Sequence, residues 1–385
     1  MSKEAALEAH DSSKERILEL IQANPFIPQQ ELSDRLGITR SSVASHIAQL
    51  IRDQRLLGRA YVLPSVEPIL VAGGANLDRI GKSLGPVALG TSNPGVMEES
   101  FGGVARNVGE NLSRLGFPVR LLTSVGDDEH GVRLLRNARE LGIDTGICMV
   151  ARGAATGTYT AMLKPDGEMV LAMSDMAVLE RLNLEALADR RNRWSTTRMR
   201  VVDLNLSREV LAEIMEDSCM RGATLVAVAV SEPKMARLPS PLKGLSVLIL
   251  NAGELAALVG RCLPDLPAIK EACLAVLDGG LEGIVVTMGA QGVVCATTSQ
   301  KPRHFKAPPA RIVDVTGAGD AFASGVVAGL AHHPHDLVRA CRIGQRLASV
   351  TLESRSSVAP SLKPAFFREC EMAFPPLQLQ GTSHE

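Results

Sequence analysis

Apolar positions in the first part of the chain recur at helical spacing. Ile17, Leu18, Leu20 and Ile21 form one apolar face, which Asn24 and Pro25 bring to an end. A second short helix is expected over Gln29–Leu36, stopped by Gly37. Thr39 is placed to cap a third, running through Val43, Ile47, Leu50 and Ile51. A short alternating stretch at 57–62 reads as a β-wing, and 64–68 as a linker. Helix, helix, glycine turn, helix and wing is the order of a winged helix-turn-helix, expected here over residues 13–63 after a polar, poorly ordered start at 1–12.

From residue 69 the pattern changes. Apolar runs of strand length at 69–72, 119–125, 200–204, 224–230, 245–250 and 283–287 alternate with helical stretches, among them 104–115, 129–141, 319–332 and 337–351. This alternation predicts a mostly parallel sheet covered by helices on both faces, an α/β/α sandwich, over residues 69–370, with a tail at 371–385. Short strands at 148–150, 158–163 and 168–173 break the rhythm. They predict a small β-structure outside the main sheet, a lid within about 86–101 and 146–173.

Composition narrows the class. Aromatic residues make up only 3% of the chain, so Val, Ile and Leu must build the core, as in parallel sheets. The net charge is 41 − 42 = −1, which gives the whole chain no pull towards nucleic acid or membrane. Seven cysteines are scattered without a CxxC pair, which argues against a disulfide framework and a zinc cage and for reduced thiols in the cytoplasm. No apolar leader or run of membrane-spanning length is evident.

Candidate chemistry concentrates at glycine-rich turns. In Asp314-Val315-Thr316-Gly317-Ala318-Gly319-Asp320, a strand-like approach at 310–313 enters a small-residue turn that opens a helix. First-turn N–H groups bind anions, and Asp320 is placed to take a proton from an attacking hydroxyl. Gly102 and Gly103 let a backbone approach a polar ligand, and Asn107 offers donor and acceptor to hydroxyls. Asp78, read at the end of the first strand, can accept from a vicinal diol. Asn251 and Glu254 have the spacing of a capping box, or of a pair that steers Mg²⁺ through water. Thr287, Gly289 and Gly292 form a hairpin turn that suits phosphates. Gly81-Lys82-Ser83 imitates the end of a Walker A loop, but Asn76 stands where that loop needs glycine. Each turn alone has an ordinary structural explanation. Four of the five lie just beyond strand ends or open helices, as one crevice requires.

Together these segments resemble the PfkB, or ribokinase-like, family of carbohydrate and nucleoside kinases, across roughly residues 68–362. The resemblance implies a ribokinase-like fold, with ATP and Mg²⁺ as cofactors. It makes Asp320 the catalytic base, with Gly317, Ala318 and Gly319 as the anion hole. Asn76, Asp78, Gly102, Gly103, Asn107 and Asn205 would face the substrate. Asn251, Thr287, Gly289, Gly292 and Gln345 would contact the nucleotide, and Glu254 the Mg²⁺. Asp314 and Thr316 resemble the start of a K⁺ loop, although residues 353–358 lack the glycine common there. Residues 102–107, 174–176 and 351–354 resemble pseudouridine kinases and related winged-helix sugar or nucleoside kinases. A homodimer is expected. The basic stretch at 190–200 has no explanation at this level.

The implied reaction is phosphorylation of the 5′-hydroxyl of pseudouridine or a close ribonucleoside. The alternatives are a simple-sugar kinase of ribose or fructose type, and a transcription regulator that uses the kinase fold as a sensor. Between residues 13 and 62 there are seven Lys or Arg against five Asp or Glu, a thin surplus for DNA contact. Arg40, Ser41, Ser42 and Ser45 on the third helix and Arg59 on the wing are the candidate DNA contacts.

Overall fold

The computed structural model describes residues 3–57 and 67–374. The chain divides into two compact units, with the boundary between Glu67 and Pro68.

The first unit holds α1 (Lys3–Ala23), α2 (Gln29–Leu36) and α3 (Arg40–Arg52). Ile17, Ile21, Ile27, Leu32, Val43, Ile47 and Leu50 close around one another as its core. Gly37 ends α2 at φ 65°, a conformation that favours glycine. Thr39 caps α3, its hydroxyl accepting from the Ser42 N–H at 3.1 Å. One expectation changes: the polar start is helical from Lys3, as part of α1. The expected wing beyond Leu57 and linker residues 64–66 lie outside the described residues.

The second unit begins with β1 (Ile69–Ala72), β2 (Asn76–Ser83), β3 (Gly95–Gly102), α4 (Val104–Arg114), β4 (Val119–Leu122) and β5 (Ser124–Gly126). There follow α5 (Glu129–Glu140), β6 (Ile143–Asp144), β7 (Met149–Ala151), β8 (Thr158–Leu163), β9 (Met169–Asp175), α6 (Leu184–Ala188) and α7 (Arg191–Trp194). Next come β10 (Met199–Asp203), α8 (Arg208–Arg221), β11 (Thr224–Val228), a 3-10 turn at Glu232–Arg237, β12 (Val247–Asn251), α9 (Ala252–Val259) and α10 (Leu266–Leu277). The unit closes with β13 (Gly283–Thr287), β14 (Val293–Thr297), β15 (Gln300–Phe305), α11 (Ala318–His332), α12 (Leu337–Leu352) and α13 (Pro364–Ala373), which runs past the expected domain end at residue 370.

Among the described residues, nine strands form the main sheet in the order β15-β14-β13-β12-β11-β10-β1-β4-β6. It is parallel from β13 to β6, while β14 and β15 turn back antiparallel. Successive side chains of a strand point to opposite faces, and both faces are covered. Ile69 and Val71 of β1 pack with α4, α11 and α12, whereas Leu70 and Ala72 pack with α8 and α10. This explains the unbroken apolar runs. Helix α11 is buried along most of its length. A side chain at Gly325 would meet the Gly344 backbone, so α11 and α12 approach at glycine.

A second sheet has the order β3-β2-β8-β9. It contains the expected lid strands and also β2, which lies outside the expected lid ranges. The strand expected at 119–125 divides into β4 and β5. The one expected at 148–150 is β7, which pairs with β5 instead of joining the lid. The approach to α11 at 310–313 is irregular chain, tied to α12 where the Val313 N–H reaches Leu352 O at 2.8 Å.

The basic stretch at 190–200 is structural. Arg200 is fully buried and pairs with buried Asp217 at 2.8 Å, which Arg191 also reaches at 2.8 Å. Both guanidinium groups lie near the ring of Trp194, at 5.4 Å for Arg200 and 5.8 Å for Arg191. Arg193 pairs with Asp144 at 2.9 Å. Among the described residues no helix is long and apolar enough to cross a membrane.

Candidate active site

Helices α4 and α11 pack on the same sheet face, and both begin beyond the carboxyl ends of the parallel strands. Their first turns therefore meet. Asn107 of α4 donates from Nδ2 to Asp320 Oδ2 at 2.8 Å, and its amide oxygen accepts from Arg106 Nη1 at 3.2 Å. Arg106 is buried, paired with Glu110 at 2.5 Å and bonded to Asn137 Oδ1 at 2.9 Å. The sequence pattern does not single out Arg106, because an arginine on an amphipathic helix ordinarily lies on its solvated face.

Asp320 stands in the first turn of α11. Burial raises its pKa from the ordinary 3.8 to about 7; the Asn107 hydrogen bond opposes the rise, and the negative charges of Asp203 and Asp78 add to it. Gly317 sits at φ 77° with its Cα against the Ser357 backbone, so a side chain there has no room. Gly319 is the opposite case: a side chain would meet nothing within 4 Å. Helix geometry leaves first-turn N–H groups without intrahelical partners; here the Ala318 N–H reaches Val315 O at 3.3 Å, and the chain at Gly319 is exposed.

Asp78 lies on β2, not at the end of the first strand, opposite Ser100 and Tyr159 in the lid sheet. Its Oδ1 accepts from Asn76 Nδ2 at 2.6 Å. Burial raises the Asp78 pKa, against the effects of Asn76 and Arg106. A side chain at Gly102 would run into the Asp78 carboxylate, and one at Gly103 (φ 100°) into the Gly74 backbone. The two glycines therefore let the chain pass beneath the lid.

Asp203, at the end of β10, ties this half together. It is 1% exposed and accepts from the N–H groups of Gly74 (2.8 Å), Ala105 (2.9 Å) and Asn205 (2.8 Å). Asn205 accepts through Oδ1 from Lys234 Nζ, on the 3-10 turn after β11. The sequence showed no role for Asp203 or Lys234, because their partners lie far away in the chain.

The other half lies beyond β12 and β13, whose register pairs Asn251 with Thr287. Asn251 and Glu254 form a capping box: Asn251 Oδ1 accepts from the Glu254 N–H at 2.9 Å, and Glu254 Oε2 from the Asn251 N–H at 2.8 Å. Burial, and then the charge of Glu232, raises the Glu254 pKa. Gly289 and Gly292 take φ of 55° and 97°. Gly292 abuts the backbone at 305–307, and Gln345 of α12 donates to Lys306 O at 3.0 Å. Asp314 Oδ1 accepts from the Thr316 N–H at 2.8 Å in the loop before α11. No group of three or more His, Cys, Asp or Glu among the described residues is placed to hold a metal ion.

The arrangement joins a carboxylate of raised pKa, a glycine-rich helix start and a second sheet that carries a buried acid, Asp78. Comparison with known proteins identifies the family. The model of the pfkB family carbohydrate kinases matches residues 67–364, and that of a winged helix-turn-helix DNA-binding domain matches residues 10–54. The uncharacterized sugar kinase YeiI of Escherichia coli (strain K12) is 31% identical over 317 residues, 82% of this chain and 87% of the relative. Pseudouridine kinase of the same strain is 30% identical over 258 residues, 67% of this chain and 82% of the relative. A carbohydrate kinase structure from Agrobacterium tumefaciens superposes with a TM-score of 0.68 at 30% identity, covering 80% of this chain and 98% of its own. Arabidopsis thaliana ribokinase, complexed with ribose and ATP, shares the fold at 19% identity with a TM-score of 0.67, covering 79% and 98%.

Proposed function

Because the chain belongs to the pfkB family of carbohydrate kinases, phosphotransferases that act on an alcohol group, we propose that it transfers the γ-phosphoryl group of ATP to the 5′-hydroxyl of pseudouridine or a close ribonucleoside. The observation that carries this reading is the Asp320 carboxylate, held by Asn107 in the same crevice as Asp78. The hydroxyl oxygen attacks the γ-phosphorus, the bond to the bridging oxygen of ADP breaks, and the hydroxyl proton passes to Asp320. Gly317, Ala318 and Gly319 receive the phosphoryl oxygens. Asn76, Asp78, Gly102, Gly103 and Asn107 hold the ribose. Asn251, Thr287, Gly289, Gly292 and Gln345 line the nucleotide side.

Glu254 keeps one carboxylate oxygen outside its capping box, and Glu232 lies against Gly253 beside it. That acidic pair fits a water-shelled Mg²⁺, which when bound screens the phosphate charge. Asp314 spends one oxygen on the Thr316 N–H, and we assign no step to a monovalent cation there.

A simple-sugar kinase is the competing reading, supported by the likeness to a sugar kinase at 31% identity. Coupled ADP assays with pseudouridine, uridine, inosine, ribose and fructose separate the two. Pseudouridine should have the highest kcat/KM; a tenfold preference for ribose or fructose would reverse the assignment. A sensor without ATP turnover would instead change its DNA retention on adding nucleoside. We also propose a homodimer through the lid. Met97, Gly81, Met162 and Leu171 are register partners in one row on the face opposite Asp78, and the three apolar side chains are exposed. Leu171→Glu should shift the light-scattering mass to that of one chain.

A further inference from the structure

We infer that Lys234 is the cation that holds the phosphoryl group between the nucleotide half and the acceptor half of the crevice. This rests on the phosphotransferase reading of the site, not on which alcohol is phosphorylated.

The sheet order sets β11 between β12 and β10, so the 3-10 turn after β11 lies between Asn251 on one side and Asn205 and Gly74 on the other. The turn touches both. Glu232 lies against Gly253 at the start of α9, and Lys234 reaches Asn205. On the phosphotransferase reading, this turn joins the nucleotide side to the acceptor side.

Lys234 is half-buried, and no carboxylate among the described residues lies within ion-pair distance of it. Asp203 attracts it, Arg237 repels it and Glu180 attracts it more weakly, but the carboxylate of Asp203 is already taken by the N–H groups of Gly74, Ala105 and Asn205, and that of Glu180 by Arg237. The neighbouring cation differs: Arg237 is neutralised by Glu180 at 2.8 Å. A partly desolvated ammonium without a counter-ion is unfavourable until an anion arrives. Lys234 uses one of its three N–H donors on Asn205, which leaves two for phosphoryl oxygens.

Asn205, which the resemblance sets facing the substrate, also positions this lysine. Its N–H is on Asp203, its carbonyl accepts from Arg237 at 2.6 Å, its Oδ1 accepts from Lys234, and its Nδ2 lies beside Gly74. Held through its N–H, its carbonyl and its amide oxygen, Asn205 aims Lys234.

The test titrates the full-length chain with inorganic phosphate, and separately with the nucleosides and sugars of the panel, following binding by calorimetry and thermal shift. The proteins are wild type, Lys234→Met, Lys234→Arg and Asn205→Asp, the last placing a carboxylate on the ammonium without removing it. Phosphate affinity should fall about tenfold or more in Lys234→Met and Asn205→Asp and be largely kept in Lys234→Arg, while acceptor affinity in the two Lys234 variants changes less than about twofold. Folded Lys234→Met protein that binds phosphate like wild type overturns the inference. So does wild type that binds none, or a Lys234 variant that loses phosphate and acceptor to the same extent, which would make Lys234 only a strut for Asn205. If wild type binds phosphate in a Lys234-dependent way but no nucleoside, the nucleoside reading fails and the assignment of Lys234 stands.

Discussion

Asn107 and Asp320 lie 213 residues apart in the chain and share a 2.8 Å hydrogen bond between the first turns of α4 and α11. Arg106 donates to the other end of the same amide, so Asn107 presents N–H to the carboxylate. The bond favours the ionised form of Asp320, whereas burial and two nearby aspartates oppose it. The balance sets the group near neutrality, where a general base is most effective.

Replacing that base should affect the chemical step. Asp320→Asn keeps the size and the hydrogen-bonding partner, so acceptor KM should change less than about tenfold while kcat falls by roughly 10²–10⁴. Steady-state kinetics against both substrates checks this. Turnover within a few-fold of wild type would remove Asp320 from the mechanism.

The pH dependence follows with a definite sign. A base must be ionised, so kcat/KM should rise with pH through about 7 and level off above it. Asn107→Ala removes an interaction that lowers the Asp320 pKa, so its rising limb should move to higher pH. Stability runs the other way. The folded-state pKa lies above the ordinary 3.8, so the folded chain binds more protons across pH 4–7 and loses stability as pH rises through that window. Asp320→Asn should therefore be more resistant to denaturant than wild type at pH 8, with the gap closing towards pH 4.

The lid was the part least legible from sequence. Strands of the main sheet are apolar on both faces, so 69–72 or 283–287 stand out. Strand β2 carries Asn76, Asp78, Arg79, Gly81 and Lys82 in a sheet with an exposed face, so nothing marks it as a strand, and the pattern alone sets Asp78 one element too early. Strand β15 is polar because it is the sheet's edge. The turns around Asp320, Asn107 and Asn251 were legible because glycine and caps follow local rules. Asp203, Arg106 and Lys234 act through partners across the fold, which no local pattern encodes.

Gly102 gives a local test of the lid. An alanine methyl at this position meets the Asp78 carboxylate. Gly102→Ala should push Asp78 aside and raise acceptor KM by about tenfold or more, about 1.4 kcal/mol, with ATP KM little changed. Equal losses for both substrates would show that the glycine serves folding alone.

The buried Asp217 supports Arg200, Arg191 and Arg221. Asp217→Ala leaves the Arg200 charge buried without its partner, at a cost of about 3–5 kcal/mol. Trp194, the only tryptophan of the chain, lies against Arg200 and reports the transition by fluorescence in urea. A loss below about 1 kcal/mol would mean that water or another group replaces Asp217.

The first unit makes the last prediction. Helix α3 buries Val43, Ile47 and Leu50 and exposes Arg40, Ser41 and Ser45 at and after its capped start. A winged helix-turn-helix meets DNA with that end of its third helix. We therefore expect the full chain to retain duplex DNA, weakly, since basic residues exceed acidic ones by only two over residues 13–62. Affinity should fall as salt rises, with a slope that counts the phosphates neutralised. Arg40→Ala should flatten that slope by about one and weaken binding to all sequences alike if Arg40 meets a phosphate. If it reads a base, the slope should hold and discrimination at one position should drop by about 1–3 kcal/mol. Gel-shift titrations at several salt concentrations distinguish the two. A chain that retains no DNA even at low salt would leave this unit a packing module with α3 facing solvent.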